Sequence, residues 1–127
     1  MSARARLLDV VRTDATFGIE EVRGERCWVG RCIFCRTRLV VGLDGAAGRE
    51  ITVEHIVPRS RGGDDDPRNL AIACARCNHE KGVRHDRHRA ATERAQQVTD
   101  ALLAERARRW REPGSDVCAP TRSTSDR

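Results

Sequence analysis

Ile51-Thr52-Val53-Glu54-His55-Ile56-Val57-Pro58 is the stretch that decides the fold of this chain. Its β-branched residues predict a strand, and Pro58 ends that strand because proline cannot donate a hydrogen bond to a neighbouring strand. Glycine, aspartate and proline residues recur through positions 59–68 and predict a loop. An acidic residue and a histidine, Glu54 and His55, therefore stand near the end of a strand, beside a loop long enough to contact a ligand.

The residues after the loop predict a second strand and a helix. Asn69 closes the loop, and Leu70-Ala71-Ile72-Ala73 is an apolar run short enough for a strand. Helix-compatible residues begin at Cys74 and carry Asn78. A lone histidine at a strand end is more often a half-buried core residue than a catalytic one. Here oxygen and nitrogen donors from several segments converge near His55, which favours a chemical role.

Two Cys-x-x-Cys pairs flank this region and predict a metal site. The four residues are Cys32, Cys35, Cys74 and Cys77. Each pair can bind a metal from one tight turn, so together they offer Zn²⁺ a tetrahedral set of thiolates. Such a set leaves no position for substrate, so the predicted zinc is structural, with disulfides or an iron–sulfur cluster as alternatives. Cys27 and Cys118 lie outside the pattern and are predicted to be free thiols.

The composition predicts one small domain that needs such a metal. The 127 residues are 39% hydrophobic, 3% aromatic and 34% charged, which leaves a thin core. A bound metal is the expected stabiliser of so small a fold. We predict a single domain over residues 1–112. Residues 113–127 are too polar and too short to form another domain and are expected to be a disordered tail.

The charge predicts a polyanionic partner. The formal net charge is +5, and Lys81 is the one lysine among the basic residues. Nucleic acid is the expected partner, and arginine enrichment that reflects the base composition of the source genome is the alternative. Six cysteines without an apolar signal segment before Arg12 favour a reducing cytoplasm. No stretch approaches the roughly 18 apolar residues of a membrane span, so no membrane partner is expected. The oligomeric state is left open.

The remaining segments predict two helices, one strand and one irregular stretch. Apolar residues among arginines predict a short helix over residues 2–13, and β-prone residues predict a strand over residues 38–41. Gly18 and Gly24, with Gly30 directly after them in the pattern, predict irregular structure over residues 16–29. Residues 83–112 predict one long, arginine-rich helix. Its apolar contacts are expected from Val98, Leu102 and Leu103, and its arginines are expected to be solvated.

Several motifs together resemble the HNH endonuclease family. They are Glu54-His55-Ile56-Val57-Pro58, Ser60, Gly62-Gly63, Asn69-Leu70 and Cys74-Ala75-Arg76-Cys77-Asn78-His79-Glu80-Lys81. The resemblance spans residues 32–82, the motif core. It implies an α+β fold of the ββα-metal (His-Me finger) kind, in which two antiparallel strands and a helix hold one divalent cation, often beside an accessory four-cysteine zinc site. The N-terminal helix and the long basic C-terminal helix would flank this domain.

The resemblance also implies roles for individual residues. His55 would be the general base, Glu54 a ligand of the catalytic cation, and Asn69 the residue that braces the loop and orients His55. Many members of the family have a histidine directly after the last cysteine, where this chain has Asn78. Asn78 would therefore be the second ligand of the cation in an H-N-N variant, with His79 as the alternative.

Helix geometry allows only one of these two neighbours to bind the cation. Successive residues of an α-helix point roughly a quarter-turn apart, so Asn78 and His79 cannot both face one cation. An asparagine oxygen suits Mg²⁺, whereas a histidine nitrogen suits softer cations such as Mn²⁺ better. We predict Asn78 as the ligand and Mg²⁺ or Mn²⁺ as the catalytic cation.

The implied function is endonucleolytic hydrolysis of DNA phosphodiester bonds, with double-stranded DNA as the expected substrate. Phosphate contacts are expected from Arg59, Arg61, Arg76 and Lys81, although charges of this kind are as often merely solvated. The alternative is a non-catalytic, zinc-dependent module that binds nucleic acid. His55 separates the two functions, because a binding module has no need of a general base.

Overall fold

The chain folds into helices and two small antiparallel sheets. A computed structural model describes residues 2–79 and 92–114. The elements in chain order are α1 (Ala3–Arg12), β1 (Gly18–Val22), β2 (Glu25–Arg31), β3 (Arg38–Gly42), β4 (Ile51–His55), β5 (Leu70–Cys74), α2 (described over 75–79) and α3 (Thr92–Arg108). One sheet has the order β1-β2-β3, and the other pairs β4 with β5. The predicted α+β class is confirmed.

Helix α1 begins at a serine cap and packs one apolar face inward. The Ser2 Oγ accepts a hydrogen bond from the Ala5 N–H at 3.1 Å, which satisfies a donor that the first helical turn leaves without an intrahelical partner. Leu7, Val10 and Val11 are buried and lie on one face of the helix. The predicted N-terminal helix is confirmed.

Residues 16–29 contain most of a β-hairpin, so the prediction of irregular structure there is wrong. Strands β1 and β2 pair antiparallel along the whole of β1. The two turn residues, Arg23 and Gly24, have φ values of 54° and 83°, the positive values that a two-residue hairpin turn favours. A glycine is required at position 30 of β2, because the Phe17 ring occupies the space that a Cβ would need. Both glycines therefore shape the hairpin and its packing.

The turn between β2 and β3 carries the first cysteine pair. The two strands pair antiparallel with Arg31 opposite Arg38, so residues 32–37 form the connection. Leu39 and Val41 of β3 are buried in the core. The predicted strand at β3 is confirmed, and its hairpin holds the cysteine turn at one end of the sheet.

Strands β4 and β5 and helix α2 follow the predicted strand–loop–strand–helix order. The strands pair antiparallel, with Ile51 opposite Cys74 and His55 opposite Leu70. Every residue of β5 is buried, and α2 starts directly after it. The connecting loop, residues 56–69, contains two short 3₁₀ turns. The hairpin therefore lies in the core and presents its loop at the edge.

Helix α3 inserts an arginine into the core, contrary to the predicted solvated face. Arg106 is only 1% exposed. Its guanidinium donates to the carbonyls of Leu70, Thr13 and Pro67 at 2.7, 2.8 and 3.1 Å and to the Thr13 Oγ1 at 2.7 Å. Burial lowers the pKa of Arg106 to about 10, so the side chain is charged at neutral pH. The planar guanidinium therefore links α3 by hydrogen bonds to two other segments, the end of α1 and the residues around the start of β5.

A second buried arginine, Arg109, joins the end of α3 to the end of α1. Its Nη1 lies 3.5 Å from the Asp14 Oδ2 and donates to the Arg31 carbonyl at 3.0 Å. Its Nε donates to the Glu105 Oε2 at 2.9 Å. The backbones of Asp14 and Trp110 form an isolated antiparallel bridge at the same place. Polar contacts between buried side chains therefore add stability to a fold whose apolar core is small.

The apolar contacts of α3 differ in part from the prediction. Leu102 is buried and Leu103 packs against the core, as predicted, whereas Val98 is 44% exposed and the prediction for it is wrong. The helix ends at Arg108, four residues before the predicted end. Residues 83–91 of the predicted helix and residues 115–127 of the predicted tail lie outside the described residues. None of the described helices has the length and apolar content that crossing a membrane requires.

Replacing Arg106 by alanine is expected to lower the free energy of unfolding by about 3–5 kcal/mol, because acceptors inside the fold would lose their donor. Arg94→Ala, on the exposed side of the same helix, should change it by less than about 0.5 kcal/mol. Urea denaturation with zinc present measures both values. Equal stability of the two variants would contradict the role given to the buried guanidinium.

Candidate metal centre and active site

Four cysteine sulfurs converge at the junction of the two sheets. The Sγ atoms of Cys32, Cys35, Cys74 and Cys77 all lie within 4.8 Å of one another. Two of them, from Cys35 and Cys74, are 3.8 Å apart. This matches the separation of about 3.8 Å between two ligands of a tetrahedron with Zn–S bonds of about 2.3 Å. All five described cysteines are free of disulfides, and the cluster fits a structural Zn²⁺ ion.

The backbone prepares one of these thiols for ionisation. Burial alone would raise the pKa of Cys32, but hydrogen bonds from the N–H groups of Cys35, Cys74 and Phe34 lower it to about 7. The thiolate is the form that binds a metal. Burial and the neighbouring thiols raise the pKa of Cys77. A divalent cation would reverse that effect, because its charge stabilises thiolates.

The thiol cluster lies where two hairpins are already joined by hydrogen bonds from backbone N–H groups. The Ile33 N–H donates to the Ile72 carbonyl at 3.0 Å, and the Cys74 N–H donates to the Cys32 Sγ at 3.3 Å. Cys32 and its partner Cys35 come from the β2–β3 turn, while the second pair comes from the end of β5 and from α2. A metal ion at this place would clamp the β2–β3 hairpin to the β4–β5 hairpin.

His55 ends β4 and meets a carboxylate of the following loop. Its Nε2 lies 2.8 Å from the Asp65 Oδ1, and the Arg59 Nε lies 3.4 Å from the same nitrogen. An ionised carboxylate only accepts hydrogen bonds, so the imidazole donates to Asp65 when Nε2 carries the proton. The imidazole is half-buried, so it is held in one orientation at the surface of the domain.

Asn69 fixes the loop that starts after His55. Its Oδ1 accepts the Val57 N–H at 2.8 Å, and its Nδ2 donates to the carbonyls of Val57 at 3.1 Å and Asp64 at 2.9 Å. Its backbone carbonyl accepts the Ile56 N–H at 2.8 Å. One buried amide therefore holds both ends of the loop, and the residues next to His55 with it.

The predicted ligands of the catalytic cation come from β4 and α2. Glu54 is 5% exposed, while Asn78 is half-buried and His79 is exposed. Carboxylate and amide oxygens suit a hard divalent cation. Within residues 2–79 and 92–114, the four cysteines are the one cluster of three or more histidine, cysteine or acidic side chains able to share a metal ion. A cation on Glu54 and Asn78 stays a prediction.

A comparison with known families agrees with this arrangement of strands, helix and thiols. Residues 32–84 match the sequence model of the family described as HNH endonuclease. The chain contains an HNH endonuclease domain. The HNH domain spans β3, β4, β5, the thiol cluster and His55, whereas α1, β1 and α3 lie outside it. No curated protein and no solved structure matches the chain.

The arginines predicted to bind phosphate lie on the surface of the HNH domain. Arg59, Arg61 and Arg76 are exposed, and Lys81 lies outside the described residues. The Arg59 Nη2 donates to both oxygens of Asp65, at 2.9 and 3.0 Å. These side chains are accessible to a polyanion.

Sequence reasoning missed Asp65 and Arg6 as neighbours of His55. The Arg6 Nη2, on α1, lies 3.4 Å from the Asp65 Oδ2. The loop contains three consecutive aspartates, and no periodicity indicates which of them turns toward the histidine. The approach of α1 to the HNH domain is a tertiary contact, so no local signal could have revealed it.

Cys35→Ser is expected to lose zinc and to melt at a lower temperature, because one thiolate of the tetrahedron is removed. The matched control is Cys27→Ser, since Cys27 lies outside the cluster. Metal analysis should find about one zinc ion per chain in the wild type and in the control. A wild-type protein purified without zinc, or a Cys35→Ser variant that retains it fully, would contradict the assignment.

Proposed function

We propose that the chain is a metal-dependent endonuclease that hydrolyses phosphodiester bonds of double-stranded DNA, with His55 as the general base. The observation that carries this proposal is the position of His55 within the HNH domain. It ends β4 beside a loop that Asn69 braces. An imidazole at a fixed position beside an ordered loop is suited to general-base catalysis.

The reaction would transfer one proton from water to His55. A phosphodiester is anionic and resists attack, so the nucleophile must be activated. His55 accepts a proton as the water oxygen bonds to phosphorus, while the bond from phosphorus to the leaving oxygen breaks and that oxygen takes a proton from solvent. A divalent cation held by Glu54 and Asn78, Mg²⁺ or Mn²⁺, would neutralise the charge that grows on the phosphate.

Asn78 is preferred to His79 as the second ligand of that cation. The two side chains point roughly a quarter-turn apart on α2, and Asn78 is the less exposed of the two. The half-buried position suits a residue that faces the strands, where Glu54 lies. In this H-N-N arrangement both protein ligands are oxygens, which favours Mg²⁺.

The arginines of the HNH domain would supply affinity without sequence preference. Arg59, Arg61 and Arg76 are exposed, and contacts from such side chains to phosphates carry no information about base sequence. Lys81, outside the described residues, is proposed for the same role because it lies near Arg76 in the sequence.

A non-catalytic, zinc-dependent nucleic-acid-binding module is the second candidate. Two observations favour it. Asn78 stands where many members of the family have a histidine, and the His55 Nε2 is engaged by Asp65. Either feature is compatible with a domain that binds nucleic acid and has lost the cleavage step.

We also propose that residues 1–112 form a single domain followed by the tail 113–127. The contacts that Arg106 and Arg109 make with Thr13 and Asp14 support this division, because they join the elements outside the HNH domain to one another. A cytoplasmic location is proposed on the free thiols, since a tetrathiolate site needs reduced cysteines.

His55→Ala is expected to slow the nicking of supercoiled plasmid by about 10²–10⁴-fold in Mg²⁺ or Mn²⁺, because the water loses its proton acceptor. Zinc content and melting temperature should match the wild type, which controls for folding. If both proteins bind DNA and neither cuts it with any cation, the nuclease proposal fails and the binding module is supported.

Asn78→Ala is expected to raise the Mg²⁺ concentration needed for half-maximal cleavage at least tenfold, since an oxygen ligand is lost. The neighbouring variant His79→Ala should leave that concentration within about twofold of the wild type. Cleavage rates measured across a magnesium titration compare the two. The opposite ranking would assign the ligand to His79.

A further inference from the structure

Three basic side chains from separate parts of the chain converge on the Asp65 carboxylate. His55 Nε2 lies 2.8 Å from Oδ1, and Arg59 Nη2 lies 2.9 Å from Oδ1 and 3.0 Å from Oδ2. Arg6 Nη2 lies 3.4 Å from Oδ2. The Asp65 side chain is 45% exposed, so the cluster opens to solvent. Its donors come from α1, from β4 and from the loop that follows β4.

The chemistry of this cluster matches that of a phosphate site. A phosphodiester presents two non-bridging oxygens that share one negative charge, as a carboxylate does, and arginine forks bind both groups with paired hydrogen bonds. Hydrogen bonds from His55 and Arg59 lower the pKa of the Asp65 carboxyl, so Asp65 is an anion at neutral pH. Two arginines and a histidine therefore surround one negative group that the protein itself supplies.

We propose that Arg6, Arg59 and His55 form the cradle for a DNA phosphate, and that Asp65 occupies the position of that phosphate until DNA displaces it. This inference rests on the proposed function, and it adds to it a residue of α1 that lies outside the HNH domain. DNA binding then competes with an internal anion. Displacement of Asp65 then exchanges its carboxylate for the phosphate at the His55 Nε2.

The surrounding loop allows Asp65 to leave without unfolding. The Asp64 carbonyl accepts a hydrogen bond from Asn69, and the Asp66 side chain accepts the Arg68 N–H at 2.8 Å. Both neighbours of Asp65 are thus held to the backbone or to Asn69. The Asp65 carboxylate instead contacts partly exposed side chains. A change in the Asp65 rotamer would break these contacts without moving the backbone.

The first test compares Asp65→Asn with Asp64→Asn, which makes the same charge change one residue away. Anisotropy of a short fluorescein-labelled DNA duplex, without added divalent cation, measures affinity. Asp65→Asn should bind roughly two- to fivefold more tightly than Asp64→Asn, because only the former removes the competing anion. Equal affinities of the two variants would overturn the proposal. Weaker binding by Asp65→Asn would overturn it as well and would identify Asp65 as a residue that positions His55.

The second test compares Arg6→Gln with Arg4→Gln on the same helix. Arg4 pairs with Asp44 away from the cluster, so it controls for the lost charge. Arg6→Gln should weaken binding and reduce the slope of log affinity against log salt by about one, as expected for one phosphate contact. A slope change shared equally by Arg4→Gln would overturn the cradle.

The two proposals can fail separately, because one is read by binding and the other by cleavage. Tighter binding by Asp65→Asn, in a protein that never cuts plasmid, would support the cradle proposal and contradict the nuclease proposal. Cleavage that depends on His55, with Asp65→Asn binding no more tightly than Asp64→Asn, would support the nuclease proposal and contradict the cradle proposal.

Discussion

The convergence of four cysteine thiols is the constraint on which the rest of the structure depends. Cys32 and Cys35 come from the β2–β3 turn, and Cys74 and Cys77 come from the end of β5 and from α2. A divalent ion there joins two hairpins whose apolar contacts alone make a thin core. It also fixes the end of β5 that lies opposite the start of β4, the strand that ends at His55. A metal ion at this place would therefore act on the proposed active site through the hairpin and not by contact with substrate.

Buried arginines support the same hairpin from the other side. Arg106 of α3 binds the carbonyls of Pro67 and Leu70, which flank Asn69 in the chain. Asn69 in turn holds Val57 at the start of the loop and Asp64 within it. Hydrogen bonds and the chain segment 67–70 therefore connect α3 to the residues beside His55. This connection supports the proposal that the elements outside the HNH domain belong to the same structural unit.

The sequence was sufficient for the parts of the fold that follow local rules. The β4–loop–β5–α2 order, the thiol cluster and α1 are read from residue spacing and from the family resemblance. The β1–β2 hairpin was missed because glycines at a turn and in a close-packed strand look the same in sequence as glycines in a loop. The buried arginines were missed because burial of a guanidinium depends on carbonyls of distant segments. Asp65 was missed for the same reason, since only the tertiary structure brings it to His55.

Hydrogen exchange of the β4–β5 amides, compared between zinc-loaded and zinc-stripped protein, tests most directly whether the metal centre maintains the active-site hairpin. The Ile56 amide, which donates to the Asn69 carbonyl, reports on the strand end beside His55. The account predicts that protection at Ile56 and along β5 is lost together when zinc is removed. Unchanged protection of both strands in the zinc-free protein would contradict it.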